Sequence, residues 1–170
     1  MNPAQLRARC EARLADLYIP RPFDLATFCQ HLGSRRSRPI LLLPMELAAD
    51  SPSGLWIRGD RNDYIVYEQA TTPLHQTHIA LHEIGHLLCG HTSVVPPPGE
   101  HLDRLFATVD PRLVRRALSR TSYSTEDEGE AEMLASLILQ RIHFQAGSPA
   151  PAPPVEPATA QILRRLESSL

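Results

Sequence analysis

Residues 82 to 86 read His82-Glu83-Ile84-Gly85-His86, inside a stretch from Leu74 to Cys89 that has no glycine before Gly85 and is followed by Gly90. Ile79, Leu81, Ile84, Leu87 and Leu88 recur through it at three- and four-residue intervals, so the spacing predicts one long helix. Side chains four apart on a helix lie one turn above each other. Both imidazoles then share a face, at a separation that lets two nitrogens reach one metal ion. Glu83 sits beside that face, where a carboxylate can take a proton from a metal-polarised water and pass it to a leaving amine. The flanks Ile79-Ala80-Leu81 and Leu87-Leu88 are uncharged, which predicts a buried helix. A buried His-Glu-His patch needs a metal or several hydrogen bonds to offset its desolvation.

A chain of 170 residues with 42% hydrophobic side chains can bury one ordinary core without disulfide staples. Seventeen basic against nineteen acidic residues leave a formal charge of −2, so the basic footprint of a nucleic-acid binder is missing. Cys10, Cys29 and Cys89 are odd in number, widely separated and without CxxC spacing, and read as reduced, buried thiols. The first residues lack a signal-peptide apolar run and no window resembles a membrane span, so the expectation is a cytoplasmic protein with neither membrane nor direct nucleic-acid contact.

Leu6, Cys10, Leu14 and Leu17 predict an amphipathic helix over 3–18, ended by Pro20 and Pro22. Asp24 caps a second helix over Leu25 to Leu32, stopped by Gly33, and Ser34 to Arg38 reads as a solvated basic turn. Ile40 to Leu43, wholly apolar between Pro39 and Pro44, predicts a strand covered on both faces. Gly54 to Arg58 and Tyr64 to Glu68, joined by the turn-forming Gly59 to Asp63, predict a hairpin. Weaker helical patterns cover 101–106 and 111–118. Ser124 or Thr125 caps a helix whose first turn is the acidic Glu126-Asp127-Glu128, favourable at the positive end of its dipole. The fold class is therefore α+β, with a small mixed sheet of three to four strands against the His82–His86 helix. One domain spans 1–146 (core 18–145), followed by a Pro-rich linker over 147–157 and an amphipathic helix over 158–170.

A catalytic zinc ion usually has three protein ligands and one open position. The elongated HExxHxxGxxH pattern is excluded, because Cys89 and Thr92 stand where it needs Gly and His. His91 lies five residues past His86, about 140° round the helix, and suits a supporting or substrate-side role unless the helix has already ended. The acidic run Glu128-Gly129-Glu130-Ala131-Glu132 can complete a His2Glu set from a second helix.

The joint pattern His82-Glu83-x-x-His86 and Glu128-x-x-Ala131-Glu132-x-x-Ala135 resembles gluzincin metallopeptidases, specifically the ImmA/IrrE family. The Pro22 to Gly33 segment, the strand Ile40 to Leu43 and the helix end His86-Leu87-Leu88-Cys89-Gly90-His91 are similar to it as well, over about residues 18–145. The resemblance implies a minimal zincin-like domain in which His82, His86 and Glu128 bind one Zn2+, Glu83 is the catalytic base and Glu132 orients a ligand histidine. Among the carboxylates the order of preference is Glu128, Glu132, Glu130. Tyr123, His91, His78 and His75 are candidate donors to a developing oxyanion. The strand carrying Tyr64, Val66 and Tyr67 precedes the metal helix, and is expected to be an edge that pairs with an extended peptide.

The leading expectation is a zinc endopeptidase, and the resemblance implies a helix-turn-helix repressor as its substrate, with proteolysis relieving repression. The alternative is a non-catalytic module that keeps the fold and sequesters a repressor or other partner. A toxin-like or phage-encoded anti-repressor hydrolase is a third reading. A pure binding module has no use for Glu83, which separates these readings.

Overall fold

The computed structural model describes residues 2–47, 51–91 and 123–146. The expected helices over 101–106, 111–118 and 158–170 and the linker over 147–157 lie outside the described residues. What is described is a mixed α+β arrangement of four helices and one three-stranded sheet: α1 (Pro3–Arg13), α2 (Leu25–Arg35), β1 (Ile40–Met45), β2 (Gly54–Arg58), β3 (Asp63–Glu68), α3 (Pro73–Cys89) and α4 (Thr125–Ala146). None of the described helices is long and apolar enough to cross a membrane.

Helix α1 opens with a reciprocal capping box between Asn2 and Gln5 and ends at Arg13, earlier than the expected residue 18. The apolar period had carried the expectation on through Leu14 and Leu17. Leu14 is instead the C-cap, its side chain fully buried, and Arg141 of α4 donates to its carbonyl at 2.5 Å. In α2 the Asp24 carboxylate accepts from Thr27 N–H at 2.6 Å, as a cap should. Gly33 does not stop that helix, which runs on to Arg35. The glycine serves packing: a Cβ there would lie 3.0 to 3.1 Å from the backbone of Arg38, Pro39 and Ile40, where the chain folds back into β1.

The sheet order is β1-β3-β2, with β3 parallel to β1 and antiparallel to β2. Two expectations change. β1 is an edge strand, with Leu41 42% exposed and Pro44 placed where a missing N–H is tolerated, so it is not covered on both faces. β3 is the central strand, and its first four residues are buried. The backbones of Tyr64, Val66 and Tyr67 are committed to β1 and β2, so β3 is not an edge that an extended peptide could join.

The basic run 34–38 is also more than a solvated turn. Arg36 and Arg38 reach the fully buried Asp63 at 2.8 and 3.2 Å, and Trp56 Nε1 donates to the same carboxylate at 3.2 Å. The start of the central strand is thereby tied to the end of α2. One continuous core runs from Cys10 and Leu14 of α1 through Phe28 and Leu32 of α2 and Trp56 and Ile65 of the sheet to Leu81 and Ile84 of α3 and Leu134 and Ile138 of α4. In it α3 lies between the sheet (β2 and β3) and α4.

Candidate metal centre

Thr72 caps α3 and Pro73 opens it, and Gly90 closes it at φ 72° in the left-handed region where glycine carries no Cβ penalty. The expected helix is present with both histidines one turn apart: His82 Nε2 and His86 Nε2 are 3.1 Å from each other. Facing them is α4, whose first turn is held by Ser124 and Asp127 exchanging backbone-to-side-chain bonds of 3.1 and 3.3 Å. The two helices touch at the small residues. A Cβ on Gly85 would lie 2.8 Å from the Ala131 carbonyl oxygen and 2.9 Å from its Cα, so the close approach needs glycine.

That approach brings Glu128 to the histidine pair. Its Oε2 is 3.2 Å from His82 Nε2 and its Oε1 is 3.8 Å from His86 Nε2, so His82, His86 and Glu128 each offer a ligand atom within 4.8 Å of the others. Glu132, one turn on, lies 3.3 Å from His82 Nδ1 and 3.3 Å from His78 Nε2, on the far side of the first histidine's ring. Glu130 takes a different direction: it is buried and ion-paired with Arg9 and Arg13 of α1 at 2.9 and 3.4 Å.

Glu83 is buried, 6% exposed, against β2. Gly54 makes room for it, since a Cβ there would stand 2.8 Å from Glu83 Oε1. Burial, reinforced by the negative charge of Glu128 and offset in part by a hydrogen bond from the Trp56 backbone, raises the Glu83 carboxyl to about 8. His86 is fully buried, and that desolvation, with His82 and His91 adding to it, lowers the ring to about 3 and keeps it neutral. Tyr123 stacks on His86 with ring centroids 3.6 Å apart, and burial pushes its phenol upward, followed by the charge of Glu83. Among the described residues Glu83 Oε2 and Tyr123 OH are buried polar atoms without a hydrogen-bond partner. Both residues line one cavity of about 390 Å³, together with Ser53, Gly54, His82, His86 and Glu128. Buried polar atoms are rarely left unpaired, so two orphans facing a His2Glu set fit a site that takes a metal ion and its water.

His91 lies closer to the centre than its helical phase alone allows, because α3 ends at Gly90. His91 N–H reaches the His86 carbonyl at 3.1 Å, and its Nδ1 stands 2.9 Å from His86 Nδ1. With Glu132, His75 and His78 line an adjoining cavity of about 170 Å³ that shares Ser53, His82 and Glu83 with the larger one, and His75 is bonded to Thr71 Oγ1 at 3.0 Å. Neither lines the larger cavity. Sequence reasoning missed the Arg9, Arg13 and Glu130 cluster and the contact of Asp127 with His91 at 3.3 Å. The i, i+4 pair Arg9 and Arg13 was the available signal, but its partner lies on a helix far along the chain. All three cysteines are free; Cys89 is only half-buried, where full burial was expected. Comparison with protein-family models, with curated proteins and with solved structures finds no match to this chain.

Proposed function

We propose that the chain is a zinc-dependent endopeptidase, with His82, His86 and Glu128 as the metal ligands and Glu83 as the base. The observation that carries this reading is the unpartnered, buried Oε2 of Glu83, which shares a cavity with the two histidines and Glu128. Zinc bound there would supply Lewis acidity, lowering the pKa of a water and polarising a carbonyl. A Glu83 carboxyl near 8 holds its proton at neutral pH, and the positive charge of a bound ion would lower it to the carboxylate that takes a proton from water and returns it to the leaving nitrogen. Tyr123 OH, buried and without a competing partner, is the donor available to a developing oxyanion. Glu132 accepts from His82 Nδ1 and so aims its other nitrogen. Of the two outer strands, β1 and β2, it is β2 that lies beside Glu83 at Gly54 and offers its edge to an extended peptide.

The resemblance to ImmA/IrrE proteins carries the further proposal that the substrate is a helix-turn-helix repressor in the cytoplasm. Zinc-loaded wild type and Glu83→Gln proteins incubated with unstructured peptides, and read by mass spectrometry, test the chemistry. Cleavage by wild type and none by the variant, with zinc retained in both, is the expected result. Cleavage by Glu83→Gln removes Glu83 as base. Binding of peptide without a cut by either protein favours a sequestering module.

A further inference from the structure

We propose that His91 is a positioning residue which, through a polar chain from His86 by way of Glu130 to Arg9, leaves the cavity-facing nitrogen of His86 bare before any metal arrives. This rests on His86 being a metal ligand as read above.

The chain is ordered from its far end. Arg9 of α1 grips Glu130 with two nitrogens, Nε at 2.9 Å from Oε1 and Nη2 at 2.9 Å from Oε2, and Arg13 Nε adds a contact of 3.4 Å to Oε1. A carboxylate held by guanidinium groups offers acceptors only. His91 Nε2 lies 3.3 Å from Glu130 Oε2 and 3.3 Å from Asp127 Oδ1, so this nitrogen must carry a hydrogen. With that single N–H on its ring His91 keeps Nδ1 as an acceptor, whereas a doubly protonated ring would donate from Nδ1 and reverse the chain. His86 Nδ1 is 2.9 Å away and must therefore donate to it. His86 Nε2 is then the bare nitrogen, and it faces His82 Nε2 at 3.1 Å and Glu128 at 3.8 Å. Metal-binding histidines usually give their other N–H to a carboxylate, a carbonyl or water. Here a second imidazole is interposed, and the polarity of both rings is fixed from α1.

The same atoms admit a rival assignment. Cys89, His91 and Glu130 offer ligand atoms within 4.8 Å of one another and could be a second metal site. That site would have to form beside two guanidinium groups already neutralising its only carboxylate, which disfavours a divalent cation and favours the relay.

Long-range 1H–15N spectra of the imidazole rings in the metal-free full chain test the relay directly. His86 in the Nδ1–H form and His91 in the Nε2–H form are expected; His86 in the Nε2–H form overturns it. Zinc competition against a chromogenic chelator supplies the second readout. His91→Ala should lower zinc affinity by about 10- to 100-fold, and His91→Asn, whose amide oxygen can still accept from His86 Nδ1, should recover most of that loss. Equal affinity in wild type and His91→Ala, or a second zinc in wild type that His91→Ala loses, also overturns the proposal. If wild type binds no zinc, the metal-centre reading fails, while the ring spectra still decide the relay on their own.

Discussion

Gly85 sets the distance between the two helices that build the site, and replacing it by Ala tests that arrangement. The added methyl would lie 2.8 Å from Ala131 O and 2.9 Å from Ala131 Cα, both backbone atoms that cannot rotate away. Ordinary carbon contacts fall at about 3.5–4.0 Å, so α3 and α4 must part by something like 0.7–1 Å. Overpacking of this kind costs about 1–3 kcal/mol, and the better helix propensity of Ala returns up to about 1 kcal/mol. A net loss of about 1–2 kcal/mol corresponds to a fall in Tm of about 2–8 °C for a chain of this size. The same displacement carries Glu128 away from His82, now 3.2 Å apart, so zinc affinity should fall with stability. Gly129→Ala on α4 is the control: nothing lies within 4 Å of a Cβ there, so it should stabilise by about 0.5–1 kcal/mol. Thermal unfolding and a zinc titration of both variants give the answer. A Gly85→Ala protein as stable as Gly129→Ala, with unchanged zinc affinity, would refute the close approach.

The stability of the metal-free protein should have a flat top in pH. Below about 4.5 the shift of His86 from 6.5 down to about 3 dominates: the folded state binds fewer protons than the unfolded, and stability is lost as pH falls. Between 6.5 and 8 the shift of Glu83 from 4.5 up to about 8 dominates, and stability drops as pH rises, by about 1.4 kcal/mol per pH unit, while from 4.5 to 6.5 the two slopes oppose each other. Denaturant midpoints across this range, with Glu83→Gln lacking the fall above 6.5, check the assignment. Tyr123→Phe should leave Tm unchanged or raise it, because it removes an unpartnered buried hydroxyl, while peptide cleavage by the zinc-loaded protein falls about 10²- to 10³-fold. Asp63→Ala should destabilise by about 3 kcal/mol or more, read by urea unfolding, since it strands Trp56 Nε1 and two arginines, yet leave the zinc affinity of the folded protein intact.

Local physics made much of this readable in advance. The period of Ile79 to Leu88, the Asp24 cap and the hairpin turn are properties of neighbours in sequence, and each has its counterpart in the structure. The contact of Gly85 with Ala131 is not legible in the sequence, because the glycine stands inside the histidine motif and its partner on a helix far along the chain. What escaped depends on topology. Nothing in the residues of β3 says that β1 will pair with it in parallel and make it central, so its hydrophobic run looked no different from that of an edge strand with one buried face. The Arg36 and Arg38 side chains seemed solvated because their partner, Asp63, looks like an ordinary turn residue until the sheet buries it. For His91 helical phase alone left the placement open, and the left-handed Gly90, which ends the helix one residue earlier, brings it against His86 in the supporting position expected of it.

The central claim is that His82, His86 and Glu128 hold one zinc ion, and elemental analysis of chelator-free wild type, Glu128→Ala and Glu132→Ala proteins after zinc reloading addresses it most directly. One zinc per chain in wild type, loss in Glu128→Ala, and retention with weaker affinity in Glu132→Ala is the result the geometry predicts. Wild type without zinc, or loss in Glu132→Ala alongside full retention in Glu128→Ala, would contradict it.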